Sequence, residues 1–96
     1  MMAHSPVSAR ILAVEDDPLL ASHLQADLMR RGYEVTLSHD GSEGLSLAER
    51  EDFDLVLMDI MLPGTNGLEA LQRLRQRRRV PVLLMSALGD EQNRIA

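Results

Sequence analysis

Three aspartates stand at the ends of two apolar runs, and their placement points to a shared task. Ile11-Leu12-Ala13-Val14 leads into Glu15-Asp16-Asp17-Pro18, and Leu55-Val56-Leu57-Met58 leads into Asp59, followed by Ile60-Met61-Leu62-Pro63-Gly64. Each run has the length of a buried strand and stops at carboxylates just before a helix or turn breaker. If the two strands are parallel neighbours, Asp16, Asp17 and Asp59 meet at one end of a sheet. Carboxylates brought together in one crevice repel one another unless a cation sits among them. Glu15, one residue earlier, reads as a neighbour of this cluster and not as a ligand.

The elements that would hold the cluster follow from periodicity. Asp17-Pro18 is a good helix start, an acceptor at the cap followed by a residue with preset φ. The helix runs to Arg31, with Leu20, Leu24 and Leu28 as its apolar stripe, widened by Leu19 and Ala21. Arg30-Arg31-Gly32 ends it with cations and a permissive residue. Glu34 to Ser38 alternates like a half-buried edge strand. Asp40-Gly41-Ser42-Glu43 has the spacing of a capping box opening a helix to about Arg50, with Leu45 and Ala48 facing the core. Gly44 inside that helix costs up to about 1 kcal/mol relative to alanine, which marks it as a close-packing point. Asn66-Gly67-Leu68-Glu69 repeats the box ahead of a third helix with Leu68, Leu71 and Leu74 as its stripe. Pro81 to Met85 is a further apolar strand ending at Ser86-Ala87, and Gly89-Asp90-Glu91 opens a fourth helix.

Strands alternating with helices imply a parallel sheet with right-handed crossovers and helices on both faces. Ligands of such sheets bind outside the carboxyl ends of the strands, where the strand order reverses. Asp16, Asp17, Asp59 and Ser86 all fall at such ends.

Composition narrows the alternatives. With 96 residues the chain holds one small domain, and its 45% apolar content fits a globular protein. The net charge of −5 argues against direct nucleic-acid binding by this segment and favours a cation or a basic partner. Without cysteine there is neither a disulfide nor a thiolate metal site, which suits the cytoplasm. The start has no signal-peptide pattern, and no apolar run approaches the ~20 residues of a membrane span. All ten basic residues are arginine. The arginines at 73, 75, 77, 78 and 79 complement a helix C-terminus. His23 and His39 read as surface or loop residues, and Met58, Met61 and Met85 as core filling.

The acidic pair Asp16-Asp17, the segment Met58-Asp59-Ile60-Met61-Leu62-Pro63-Gly64 with Asn66-Gly67 after it, and Met85-Ser86-Ala87 resemble the receiver domain of bacterial two-component response regulators. The resemblance spans the chain from Arg10 onward. It implies an α/β, flavodoxin-like doubly wound parallel sheet of order 2-1-3-4, with the fifth strand and fifth helix missing. Residues 1–9 would be a flexible N-terminal segment and 10–96 a truncated receiver. By resemblance, Asp59 accepts a phosphoryl group from a sensor histidine kinase. Asp16, Asp17, Asp59 and the backbone carbonyl of Met61 hold Mg²⁺, and Ser86 donates its hydroxyl to the phosphoryl group. Such a domain is a phosphoprotein and not an enzyme. An aspartyl phosphatase would want a second aspartate two residues after the nucleophile, where this chain has Met61. Ser86-Ala87-Leu88-Gly89-Asp90-Glu91 resembles receivers attached to a winged-helix DNA-binding domain, so the parent protein would be a transcriptional regulator.

The sequence departs from the family in having no lysine, where the family places one against the phosphoryl group after its fifth strand. Without that strand, Val80 to Met85 becomes an unprotected apolar edge that invites pairing with a second copy, as a homodimer or a domain-swapped dimer. The alternative function is a receiver-like interaction or dimerisation module that is not phosphorylated.

Overall fold

The computed structural model describes residues 8–62, 65–85 and, as backbone, 94–95. Its main sheet contains β1 (Arg10–Val14), β2 (Glu34–Ser38), β3 (Leu55–Asp59), β6 (Val82–Met85) and β7 (Arg94–Ile95) in the order β2-β1-β3-β6-β7. The first four are parallel. Between β3 and β6 a small antiparallel pair, β4 (Met61–Leu62) and β5 (Thr65–Asn66), leads directly into a helix. The helices are α1 (Pro18–Arg30), α2 (Gly41–Arg50) and α3 (Gly67–Arg75).

Strand side chains alternate between two cores, as a period of two requires. Leu12, Val14, Val56, Met58, Val82 and Leu84 face one side, where α2 and α3 cover them with Leu45, Ala48, Ala70 and Leu74. Ile11, Ala13 and Leu57 face the other, where Leu24 and Leu28 of α1 pack. Both faces of the central strands are therefore buried, which explains why β1 and β3 are continuously apolar. Gly44 lies against this framework: a Cβ there would stand 2.6 Å from Val14 Cγ2, closer than real side chains pack.

Each helix begins at a side-chain cap. Asp17 Oδ1 accepts from the Leu19 and Leu20 amides, Asp40 Oδ1 from Ser42, and Asn66 Oδ1 from Leu68. The reciprocal half of the capping box does not form at α2, where the Glu43 carboxylate instead accepts from the Ser38 hydroxyl at 3.0 Å. At the other end of α1, Gly32 adopts φ +95° while its amide reaches the Met29 carbonyl and the Tyr33 amide reaches Leu28, closing the last turn.

Several expectations need correction. Leu19 and Leu20 are 66% and 44% exposed and Leu68 is 52% exposed, so they lie outside the core stripes assigned to them. All three sit in the first turn of a helix, at the carboxyl end of the sheet, beyond the reach of either core. A fourth helix begun at Gly89 falls mostly outside the described residues, but Arg94–Ile95 is strand, not helix. It pairs antiparallel with β6, Leu83 opposite Ile95 and Leu84 opposite Arg94. The edge expected to stand open is thus covered over Leu83 and Leu84 by the same chain.

The amino ends of the strands are fastened by arginines. Arg10 pairs with Glu34 and Glu51 at 3.1 Å each, donates to the Asp52 carbonyl and stacks over the Phe53 ring, 4.8 Å from its centre. Arg77 pairs with Glu49 and Arg78 with Asp52, so part of the arginine run serves the fold.

Candidate functional site

Asp59 is the last residue of β3 and is only 4% exposed. Backbone hydrogen bonds from the residues on its carboxyl side fix its position. The Ile60 amide donates to the Met85 carbonyl of β6 at 2.8 Å, and the Gly67 amide to the Ile60 carbonyl at 2.9 Å. The Met61 amide donates to Asp59 Oδ1 at 3.0 Å. Gly67 permits this closeness: a Cβ there would meet Ile60 Cα at 2.8 Å and the Asp59 carbonyl oxygen at 3.0 Å. The first residue of α3 is in effect packed on the backbone that carries the carboxylate.

Across the sheet, β1 delivers Glu15 and Asp16 to the same end. The Glu15 amide donates to the Ser38 carbonyl of β2 at 2.9 Å, continuing the ladder one step past the strand. Its side chain is buried, and its Oε2 accepts from the Asp17 amide at 3.1 Å. One carboxylate oxygen from each of Glu15, Asp16 and Asp59 lies within 4.8 Å of the others. Burial pushes the Glu15 carboxyl above the usual range; the Asp17 amide opposes this, and the charges of Asp59 and Asp16 add to the rise.

The structure therefore joins Asp16 to Asp59 as expected but puts Glu15, not Asp17, beside them. Asp17 turns its carboxylate to the α1 amides, in keeping with its place before Pro18. Sequence reasoning misses Glu15 because a glutamate closing an apolar run reads as a strand end; its burial, which sequence does not show, is the absent signal. Met61 lines a cleft of about 460 Å³ together with Asp16, Ile60, Leu62, Thr65 and Asn66. Ser86 lies outside the described residues, as do Pro63 and Gly64. His23 belongs to α1 and His39 to the connection after β2, where its Nδ1 donates to the Glu15 carbonyl at 3.0 Å.

Three carboxylates offer only oxygen acceptors, which is the donor set of a hard divalent cation. The ion pairs of Arg10, Arg30, Arg31, Arg77 and Arg78 all involve other acids, so none of these cations neutralises the cluster. Two buried carboxylates and a third at the rim, with an open cleft beside them, fit Mg²⁺, which keeps several waters and takes few protein ligands.

A flavodoxin-like sheet with an acidic cluster at the carboxyl ends of its central strands defines a class, and comparison with known proteins agrees. The family model of the response regulator receiver domain matches residues 11–96, and the chain belongs to that family. Among curated relatives, the transcriptional activator protein PfeR of Pseudomonas aeruginosa is 58% identical over 89 residues, covering 93% of this chain and 29% of PfeR. The chain spans between 29% and 40% of the length of the curated relatives that head the comparison. Among solved structures, response regulator TrrA of Thermotoga maritima in complex with Mg²⁺-BeF is 34% identical, with a TM-score of 0.78 over 82% of this chain and 70% of TrrA. The complex of histidine kinase ThkA with TrrA gives 32% identity and a TM-score of 0.79, covering 88% of this chain and 73% of that one.

Proposed function

We propose that this chain is the phosphoryl-accepting receiver of a two-component system, with Asp59 as the acceptor and Glu15, Asp16, Asp59 and the Met61 carbonyl as the holders of Mg²⁺. The convergence of three carboxylates, two of them buried, around the end of β3 carries this reading. Asp17 leaves the metal set in this account and keeps α1 capped.

An Asp59 carboxylate oxygen attacks phosphorus, and the bond from phosphorus to the imidazole nitrogen of the kinase's phosphohistidine breaks. The electron pair departs on that nitrogen, leaving an acyl phosphate. Mg²⁺, when bound, offsets the repulsion between the anionic carboxylate and the anionic phosphoryl group. The Met61 amide holds Asp59 Oδ1 and so fixes the plane of the carboxylate before attack. Ser86 is the hydroxyl donor to the transferred group in this reading. The chain is a stoichiometric acceptor, and its partner is a sensor histidine kinase, in keeping with the complex that TrrA forms.

The receiver occupies residues 10–96 in this account and works in the cytoplasm, where a transcriptional regulator would meet its DNA; the N-terminal segment expected at 1–9 lies mostly outside the described residues, of which Ala9 accepts from the Glu34 amide. Among the described residues no helix is long and apolar enough to cross a membrane. In a protein as long as PfeR, the remainder would carry the transcriptional output. Intact-mass measurement after incubation with acetyl phosphate and Mg²⁺ tests the proposal. One added phosphoryl group, lost in Asp59→Asn, supports it. A folded sample that gains none refutes it and leaves the interaction module.

A further inference from the structure

The turn from the last residue of β2, Ser38, to the first residue of α2, Gly41, touches both walls of the acidic pocket, although none of its residues belongs to the cluster. On one wall, His39 Nδ1 lies 3.0 Å from the carbonyl oxygen of Glu15. A carbonyl can only accept, so Nδ1 carries the proton and the ring donates. The Ser38 carbonyl meanwhile accepts from the Glu15 amide at 2.9 Å. Glu15 is thus held through both of its backbone polar groups by two successive residues, the last of β2 and the first after it.

On the other wall, Gly41 abuts β5. A Cβ on Gly41 would stand 2.6 Å from Thr65 Cβ and 2.9 Å from Thr65 Oγ1, distances that real side chains do not show. Thr65 pairs with Leu62 in the small hairpin that contains Met61, and it lines the same cleft as Asp16 and Met61. The space left by the missing side chain of Gly41 therefore sets how closely that hairpin approaches α2.

The turn itself is held in shape. Ser38 is 1% exposed, and its hydroxyl lies 2.9 Å from the Asp40 carbonyl and 3.0 Å from the Glu43 carboxylate. Asp40 caps α2. A short segment tied to its own helix in this way can transmit position from one wall to the other.

We infer that the segment from Ser38 to Gly41 is a brace that spaces the two walls of the pocket, with His39 and Gly41 as positioning residues for Glu15 and for the Met61 hairpin. This rests on the Mg²⁺ reading of the pocket and deepens it. A ligand set tolerates only small displacements before cation affinity falls, and the partners that orient ligands matter nearly as much as the ligands.

The test is Mg²⁺ titration calorimetry on the purified chain, beside urea unfolding in EDTA to separate affinity from stability. Loss of one hydrogen bond should weaken Mg²⁺ binding about fivefold in His39→Ala. His39→Asn, whose amide nitrogen can stand where Nδ1 stood, should restore it. Gly41→Ala should weaken binding as well, and adding Thr65→Gly, which removes the clashing Cβ, should recover it. Unchanged affinity in His39→Ala and Gly41→Ala, with the wild type binding Mg²⁺, overturns the brace and leaves the pocket standing. Failure of both rescues, with affinity falling only as stability falls, overturns it too. A wild type that binds no Mg²⁺ overturns the pocket reading and the brace together.

Discussion

Replacing Asp59 with asparagine keeps the shape of the side chain and its acceptor for the Met61 amide, while one negative charge leaves the pocket. Oxygens of Glu15 and Asp16 lie within 4.8 Å of the Asp59 oxygen. At that separation two unit charges repel by about 3.5 kcal/mol at an effective dielectric of ~20, and by about 0.9 kcal/mol in bulk water. Asp16 is exposed, so its share sits near the lower figure. Glu15 is buried, which moves its share upward, but burial also favours its protonated form and trims the repulsion. The relief should exceed about 1 kcal/mol, which for a domain of this size raises Tm by roughly 4–8 °C. Thermal and urea unfolding followed by circular dichroism, in EDTA at neutral pH, measures it. The advantage should shrink or reverse when Mg²⁺ is added, because binding then stabilises the wild type preferentially. If Asp59→Asn is no more stable than the wild type in EDTA, the carboxylates are not in mutual repulsion and the case for a cation among them fails.

Two further outcomes separate the roles of the acids. Asp17→Ala should cost about 1 kcal/mol through the lost α1 cap and leave Mg²⁺ affinity unchanged, because its carboxylate serves the Leu19 and Leu20 amides and not the pocket; a collapse of binding in calorimetry would return Asp17 to the ligand set. Glu15 in the folded chain keeps its proton to higher pH than in the unfolded chain, so its contribution to metal-free stability is fully expressed below the ordinary glutamate range and is lost as pH rises through the raised folded value. In EDTA, Glu15→Gln should abolish that fall in urea midpoint with rising pH, and an unchanged slope would contradict the assigned cause.

The parts of the molecule governed by local chemistry could be read from the chain. Asp17-Pro18 and the two Asx-led helix starts are caps in the structure, and continuous apolar runs became strands buried on both faces. Features that depend on tertiary packing were less visible. The choice between Glu15 and Asp17 depends on which carboxylate is already committed to a helix terminus and which is turned inward. The hairpin of β4 and β5 has only two residues per strand, too few for any period to register. The exposure of Leu19 and Leu68 reflects where helix ends overhang the sheet, a matter of geometry and not of apolar spacing. The hold of His39 on Glu15 joins residues 24 apart in sequence, which no local pattern announces.

The backbone beside Asp59 is tied in several directions at once: to the end of β6 through Ile60, to the start of α3 through Gly67, and to the carboxylate itself through Met61. A residue anchored so firmly behaves as a fixed post when its charge changes. On the proposed reading, a message written on it would have to be carried by the side chains that border the pocket. If Asp59 is modified as proposed, rigidity at that point and freedom around it are complementary demands, and the main-chain hydrogen bonds concentrated there would meet the first.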